Sequence, residues 1–130
     1  MKKVFLGGTC NGSLWRDDLI KDLSIDYFNP AGEKWTPAMM EEEIKQRADC
    51  DFCLYVITPK MEGPYSIAEA VDDSNKRPGK TIFCFLTADD GKIFSDVQRK
   101  SLEQVGKLAE RNGARFFKSL KEVALYLNNQ

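Results

Sequence analysis

Apolar residues recur along this chain in two alternating rhythms, short unbroken runs and stripes at helical spacing, and the alternation predicts its elements in order. Lys3 to Leu6 is a short apolar run that stops at Gly7-Gly8, as a strand closing on a tight turn does. Trp15, Leu19 and Leu23 then recur at helical spacing with Ile20 alongside, which predicts a helix over Leu14 to Leu23. Ile25 to Phe28 reads as a second strand, stopped by Asn29-Pro30. Thr36-Pro37 is a helix start, and Met40, Ile44 and Ala48 follow as the buried stripe expected of that helix. Phe52 to Ile57 is apolar throughout, the pattern of a central parallel strand covered on both faces.

Two prolines and a glycine make Thr58 to Tyr65 a loop, after which Ser66 to Lys76 reads as a helix with Ile67, Ala70, Val71 and Ser74 inward. Thr81 to Leu86 is the next buried strand. Val97, Leu102, Val105, Leu108 and Ala109 mark a long amphipathic helix ended by Asn112-Gly113. Arg115 to Phe117 is a last strand, and Leu120, Val123, Ala124 and Leu127 form the final helix. Strand and helix thus alternate throughout, which predicts a single α/β domain over residues 1–130, a flavodoxin-like or Rossmann-like three-layer sandwich. Its five-stranded parallel sheet is expected in the order 2-1-3-4-5, where ligands bind at the carboxyl ends of the first and third strands. Topology alone therefore selects two loops, Gly7 to Arg16 and Thr58 to Glu69.

Composition narrows the chemistry. The 19 basic and 20 acidic side chains nearly cancel, and no basic stripe is present, which argues against nucleic acid as a partner. No apolar run is long enough to span a bilayer, and Lys2-Lys3 precede only Val4-Phe5-Leu6, so neither membrane association nor a signal-peptide core is expected and the cytoplasm is the expected location. The chain has no histidine, which removes Ser-His-Asp and Cys-His pairs, a histidine base and histidine-ligated zinc. Cys50 and Cys53 are spaced as CxxC but lie across the entry to an apolar strand, so they and Cys84 read as strand-edge and core residues. No metal or cofactor is expected.

The first loop, Gly7-Gly8-Thr9-Cys10-Asn11-Gly12-Ser13, carries no G-x-G-x-x-G register. Gly7 and Gly12 have Walker A spacing, yet Ser13-Leu14 stands where the lysine and hydroxyl residue belong. It reads either as a tight turn or as a loop whose backbone approaches a ligand, with N–H groups offered by the following helix. In the second loop Ser66 and Glu69 have the S-x-x-E spacing of a capping box, repeated at Ser95 to Gln98 and Ser119 to Glu122. On spacing alone a cap is the favoured reading of Glu69; the other is a carboxylate pointing into the crevice as nucleophile or base. Glu41 to Glu43 reads as a solvated face, with Glu43 set apart because it borders the Met40–Ile44 stripe. Trp15, Trp35 and Tyr65 could stack on a flat ring, although Trp15 already fits its helix's apolar stripe.

The segments KVFLGGTCNGSLWR, FNP…W at Phe28 to Trp35, and ADCDFCLYVITPKMEGPYSIAEAV at Ala48 to Val71 resemble the nucleoside 2-deoxyribosyltransferase family in order and spacing. The resemblance implies cleavage of an N-glycosidic bond by a glutamate that attacks the anomeric carbon, and the matching position is Glu69. It also implies an acid before the nucleophile that handles the departing base; Glu62 is the nearest match, displaced by one residue, and Glu43 corresponds roughly to another family acid. Candidate substrate contacts are Gly7, Gly8, Thr9, Asn11, Arg16, Tyr65 and Ser66. The expected partners are a nucleoside or nucleotide and further copies of the chain, since such proteins form homo-oligomers. The alternative reading is a non-catalytic nucleotide- or nucleoside-binding module, and a flavodoxin-like electron carrier stands third because the loop lacks a Ser/Thr phosphate run.

Overall fold

The computed structural model describes residues 1–10, 12–30 and 36–130. Strands β1 (Lys3–Gly8), β2 (Asp26–Phe28), β3 (Phe52–Ile57) and β4 (Thr81–Phe85) are joined through helices α1 (Trp15–Ile20), α2 (Pro37–Asp49) and α3 (Tyr65–Lys76), with a 3₁₀ turn at Pro78–Lys80 before β4. A hairpin of β5 (Ala88–Asp89) and β6 (Lys92–Ile93) precedes α4 (Asp96–Arg111), β7 (Arg115–Phe117) and α5 (Leu120–Asn128). The main sheet has five strands in the order β2-β1-β3-β4-β7, and every pair in it is parallel. This is the expected flavodoxin-like three-layer order, with β7 in the fifth place.

The period-two pleat divides each strand's side chains between two cores. Val4, Leu6, Leu54 and Val56 meet Trp15 and Leu19 of α1 and Val123 and Leu127 of α5. Phe5, Tyr55, Ile57, Phe83 and Phe85 meet Ala70 of α3 and Leu102 and Ala109 of α4. All six residues of β3 are buried, because helices cover both of its faces.

Several sequence expectations change. β1 does not stop at the glycines: Gly7 and Gly8 pair with Tyr55 and Val56. A side chain on Gly7 would meet the Tyr55 ring at 2.7 Å, and one on Gly8 would meet the Val56 carbonyl oxygen at 2.0 Å. These glycines are therefore required first by strand packing. Helix α1 is shorter than predicted, and Leu14 is exposed before it. The expected buried stripe on α2 is absent: no α2 residue is buried, Met40 is 40% and Ile44 53% exposed, and Ala48 is exposed too. The core on that side is already closed by α3, α4 and Phe28, and β2 beneath is a three-residue edge strand that offers little face to cover. On α4 the stripe narrows, leaving Val97 and Leu108 exposed. The β5–β6 hairpin was not expected from the pattern, its strands being two residues each.

Candidate active site

The crevice forms where β1 and β3 end side by side and their connections leave toward opposite faces. A cleft of about 160 Å³ opens there, lined by Gly8, Thr9, Cys10, Ile57, Met61, Gly63, Tyr65 and Ser66. Of the sequence candidates, Gly8 and Thr9 line it from the first loop and Tyr65 and Ser66 from the second, while Glu43 and Glu69 lie outside its lining. Glu62 lies exposed on the rim between Met61 and Gly63, and Gly7 is buried beneath the Tyr55 ring. Asn11 and Trp35 lie outside the described residues.

The loop after β1 is shaped from within. The Thr9 hydroxyl accepts the Thr58 amide at 2.9 Å, tying the two crevice loops together. Arg16 is buried and donates to the carbonyls of Leu6 at 3.0 Å, Thr9 at 2.7 Å and Gly8 at 3.3 Å. Its guanidinium stacks on Trp15, whose indole N–H also donates to the Thr9 carbonyl at 2.8 Å. Arg16 therefore fixes the loop's carbonyls, and Trp15 is core. The backbone N–H of Trp15 donates to the Ser13 hydroxyl at 3.3 Å, and that hydroxyl donates to the Asp89 carboxylate at 2.6 Å. The amino end of α1 thus faces a carboxylate of the chain itself. Asp89 also accepts the Thr58 hydroxyl at 2.6 Å, and Lys60 reaches Asp90 at 3.0 Å and the Gly12 carbonyl at 3.3 Å.

Glu69 is not a cap. The Ile67 amide closes the first turn of α3 on the Pro64 carbonyl at 3.0 Å, so the helix begins at Tyr65 and Ser66 already lies inside it. The same spacing at Ser95 and Gln98 does form a full capping box, and the Ser119 hydroxyl does accept the Glu122 amide. With no cap to serve, the Glu69 side chain, 14% exposed, lies 3.4 Å from Arg47 Nη1. Burial raises its pKa, the Arg47 charge opposes the rise, Glu43, Asp73 and Asp72 add to it, and the result is about 6. The Glu43 carboxyl is also raised by burial and held back by Arg47 and Arg16. Arg47 therefore acts on both Glu43 and Glu69, which influence each other, and Arg16 acts on Glu43 as well.

Arg47, from the last turn of α2, is gripped by Asp73, which is fully buried. Its Nε donates to Asp73 Oδ2 at 3.2 Å and its Nη2 to Oδ1 at 2.9 Å, a two-pronged contact. The Tyr55 hydroxyl and Arg77 complete the carboxylate's partners. Burial works against the Arg47 charge, but its hydrogen bonds to Asp73 and the negative charges of Asp73 and Glu69 outweigh it and raise its pKa. Neither Arg47 nor Asp73 stands out in the sequence as chemistry. The available signal is spacing: Glu43 and Arg47, and Glu69 and Asp73, are each one helical turn apart and so share a face.

The cysteines are core and rim groups. Cys50, Cys53 and Cys84 are buried and free, and Cys10 is exposed. Burial pushes the Cys53 and Cys84 thiols up to about 12, which leaves them protonated and unreactive. Among the described residues no helix is long and apolar enough to cross a membrane.

Comparison with known proteins adds the family. The family model described as nucleoside 2-deoxyribosyltransferase like matches residues 1–88, a span that contains β1 to β4, both crevice loops and the Glu43–Arg47–Glu69 cluster. No curated protein matches the chain.

Proposed function

The chain belongs to the nucleoside 2-deoxyribosyltransferase-like family, and on that premise we propose that it cleaves or transfers the N-glycosidic bond of deoxynucleosides or deoxynucleotides with Glu69 as nucleophile. The observation that carries this reading is the state of Glu69: uncapped, mostly buried, beside a cation, and with a pKa of about 6 that leaves it ionised at neutral pH. A Glu69 oxygen attacks the anomeric carbon as the bond to the base nitrogen breaks, and the electron pair leaves with the base. The leaving nitrogen takes a proton from a neighbouring carboxyl. Glu43 suits that role through its raised pKa and its place in the cluster, and Glu62 through its place on the cleft rim. Water or a second base then attacks the deoxyribosyl ester and releases Glu69.

Gly8, Thr9, Tyr65 and Ser66 would meet the substrate in this reading, with Tyr65, 66% exposed, available to stack on the base. A homo-oligomer fits the exposed apolar residues of α2, which a second copy would cover. The single-chain cleft of about 160 Å³ is small for a whole nucleoside, which also favours walls supplied by a neighbouring copy.

The test is incubation of the pure protein with deoxynucleosides and deoxynucleotides, with and without a second free base. Swapped nucleoside marks transfer, whereas free base and sugar alone mark hydrolysis. Glu69→Gln keeps the shape but not the nucleophile, and its turnover should fall by about 10³-fold or more. Full activity in that variant sinks the reading. Binding without turnover in the wild type would favour the non-catalytic module, for which the Arg47–Glu69 ion pair would be a structural contact.

A further inference from the structure

Glu69 and Asp73 stand one turn apart on α3, and Arg47 of α2 faces both. A planar guanidinium presents its donors in a fixed fork. Here the Nε/Nη2 edge is committed to Asp73, and Nη2 also lies 3.3 Å from Asp72. That grip leaves Nη1 directed at Glu69, at ion-pair distance and without a tight hydrogen bond that would tie up the carboxylate. The grip itself is set from beneath by the Tyr55 hydroxyl of β3, and Tyr55 has its place because Gly7 offers no side chain against its ring.

From this geometry we infer that Arg47 is a positioning residue: locked by Asp73 and Tyr55, it aims one end of its guanidinium at Glu69, holds that carboxylate ionised and fixes its rotamer. The inference rests on the proposed role of Glu69 for its catalytic meaning, whereas the electrostatic link itself stands on the contacts alone. The charged groups around Glu69 are Arg47 and Glu43 from α2 and Asp72 and Asp73 from its own helix. Three of these are acids, so Arg47 is the group in that set that favours the ionised form. A lysine could not replace it: one ammonium drawn to the fully buried Asp73 has no second prong for Glu69.

The deciding measurement is the carboxyl titration of Glu69 by ¹³C NMR on glutamate-labelled protein, the resonance being assigned by its loss in Glu69→Gln. In the wild type the midpoint should lie at about 6. In Arg47→Met it should rise by about 1 pH unit or more, and in Arg47→Lys it should rise by less. Should Arg47→Met fail to fold, the lysine variant decides alone. In the turnover assay kcat should drop about tenfold or more in both variants with little change in KM, and the acid limb of the rate profile should follow the NMR midpoint. An unmoved or lowered midpoint overturns the inference, even in a fully active enzyme. A raised midpoint in a protein that turns over no nucleoside upholds the link while removing the proposed reaction.

Discussion

Glu69 illustrates how opposing influences set the charge of a single carboxyl. Burial alone would favour its protonated form, and the guanidinium 3.4 Å away restrains the shift so that it stops at about 6. The sign of the pH dependence follows. A nucleophilic carboxylate works above its pKa, so activity should hold at neutral pH and fall as pH drops through about 6. Initial rates measured between pH 5 and 8 check this, and a flat acid side would contradict the assignment. Family resemblance drew attention to Glu69 in the sequence, but its ion pair with Arg47 left no mark there. Ser66–Glu69 and Ser95–Gln98 have the same spacing; one is an ordinary helical pair and the other a capping box. The difference lies in which upstream carbonyl closes the first turn, and the proline before α3 moves that closure forward. Arg47 and Asp73 were hidden for another reason: ion pairs between two helices depend on how those helices meet, which no local pattern contains.

At the level of elements, the β5–β6 hairpin acts as a brace across the crevice. Its turn is Asp90-Gly91, with φ of 51° and 81°, the conformation that Asp-Gly adopts in two-residue hairpins. The carboxylate just before the turn holds Ser13 of one crevice loop and Thr58 of the other at 2.6 Å each. Replacing Asp89 with alanine removes the shared acceptor. Stability should fall by about 1–3 kcal/mol in urea unfolding, and amide hydrogen exchange should accelerate in both loops together. Exchange that speeds in neither loop would show that the brace is idle. The hairpin was missed because strands this short carry no alternation, although its Asp-Gly was visible. The opposite error occurred on α2, where Met40, Ile44 and Ala48 have the right spacing for burial and yet face solvent. Periodicity shows that a helix has an apolar side, not that this chain supplies the surface to cover it.

For the whole molecule, strand order was the most legible property, since alternation of strands and helices with right-handed crossovers leaves few parallel arrangements. The location of the crevice came with it. A second copy of the chain is the proposed cover for the exposed α2 side chains. Light scattering after gel filtration should give a mass above one chain for the wild type and a smaller one for Met40→Glu with Ile44→Glu; a wild type that stays monomeric at high concentration excludes that role for the stripe. The same helix has a second peculiarity. Among the described residues, the hydrogen bonds that tie α2 to its neighbours come from its last turn and the cap that follows, where Lys80 binds the carbonyls of Ala48 and Cys50 at 2.7 and 2.6 Å and Arg47 grips Asp73. The Arg47–Glu69 ion pair belongs to that attachment and exists in full only while Glu69 is ionised. Thermodynamic reciprocity then couples two events that look separate: a proton arriving on Glu69 weakens the seat of α2, and a lifted α2 invites a proton onto Glu69. The hold on α2 and the charge on Glu69 draw on one shared free energy, so the chain cannot change one without changing the other.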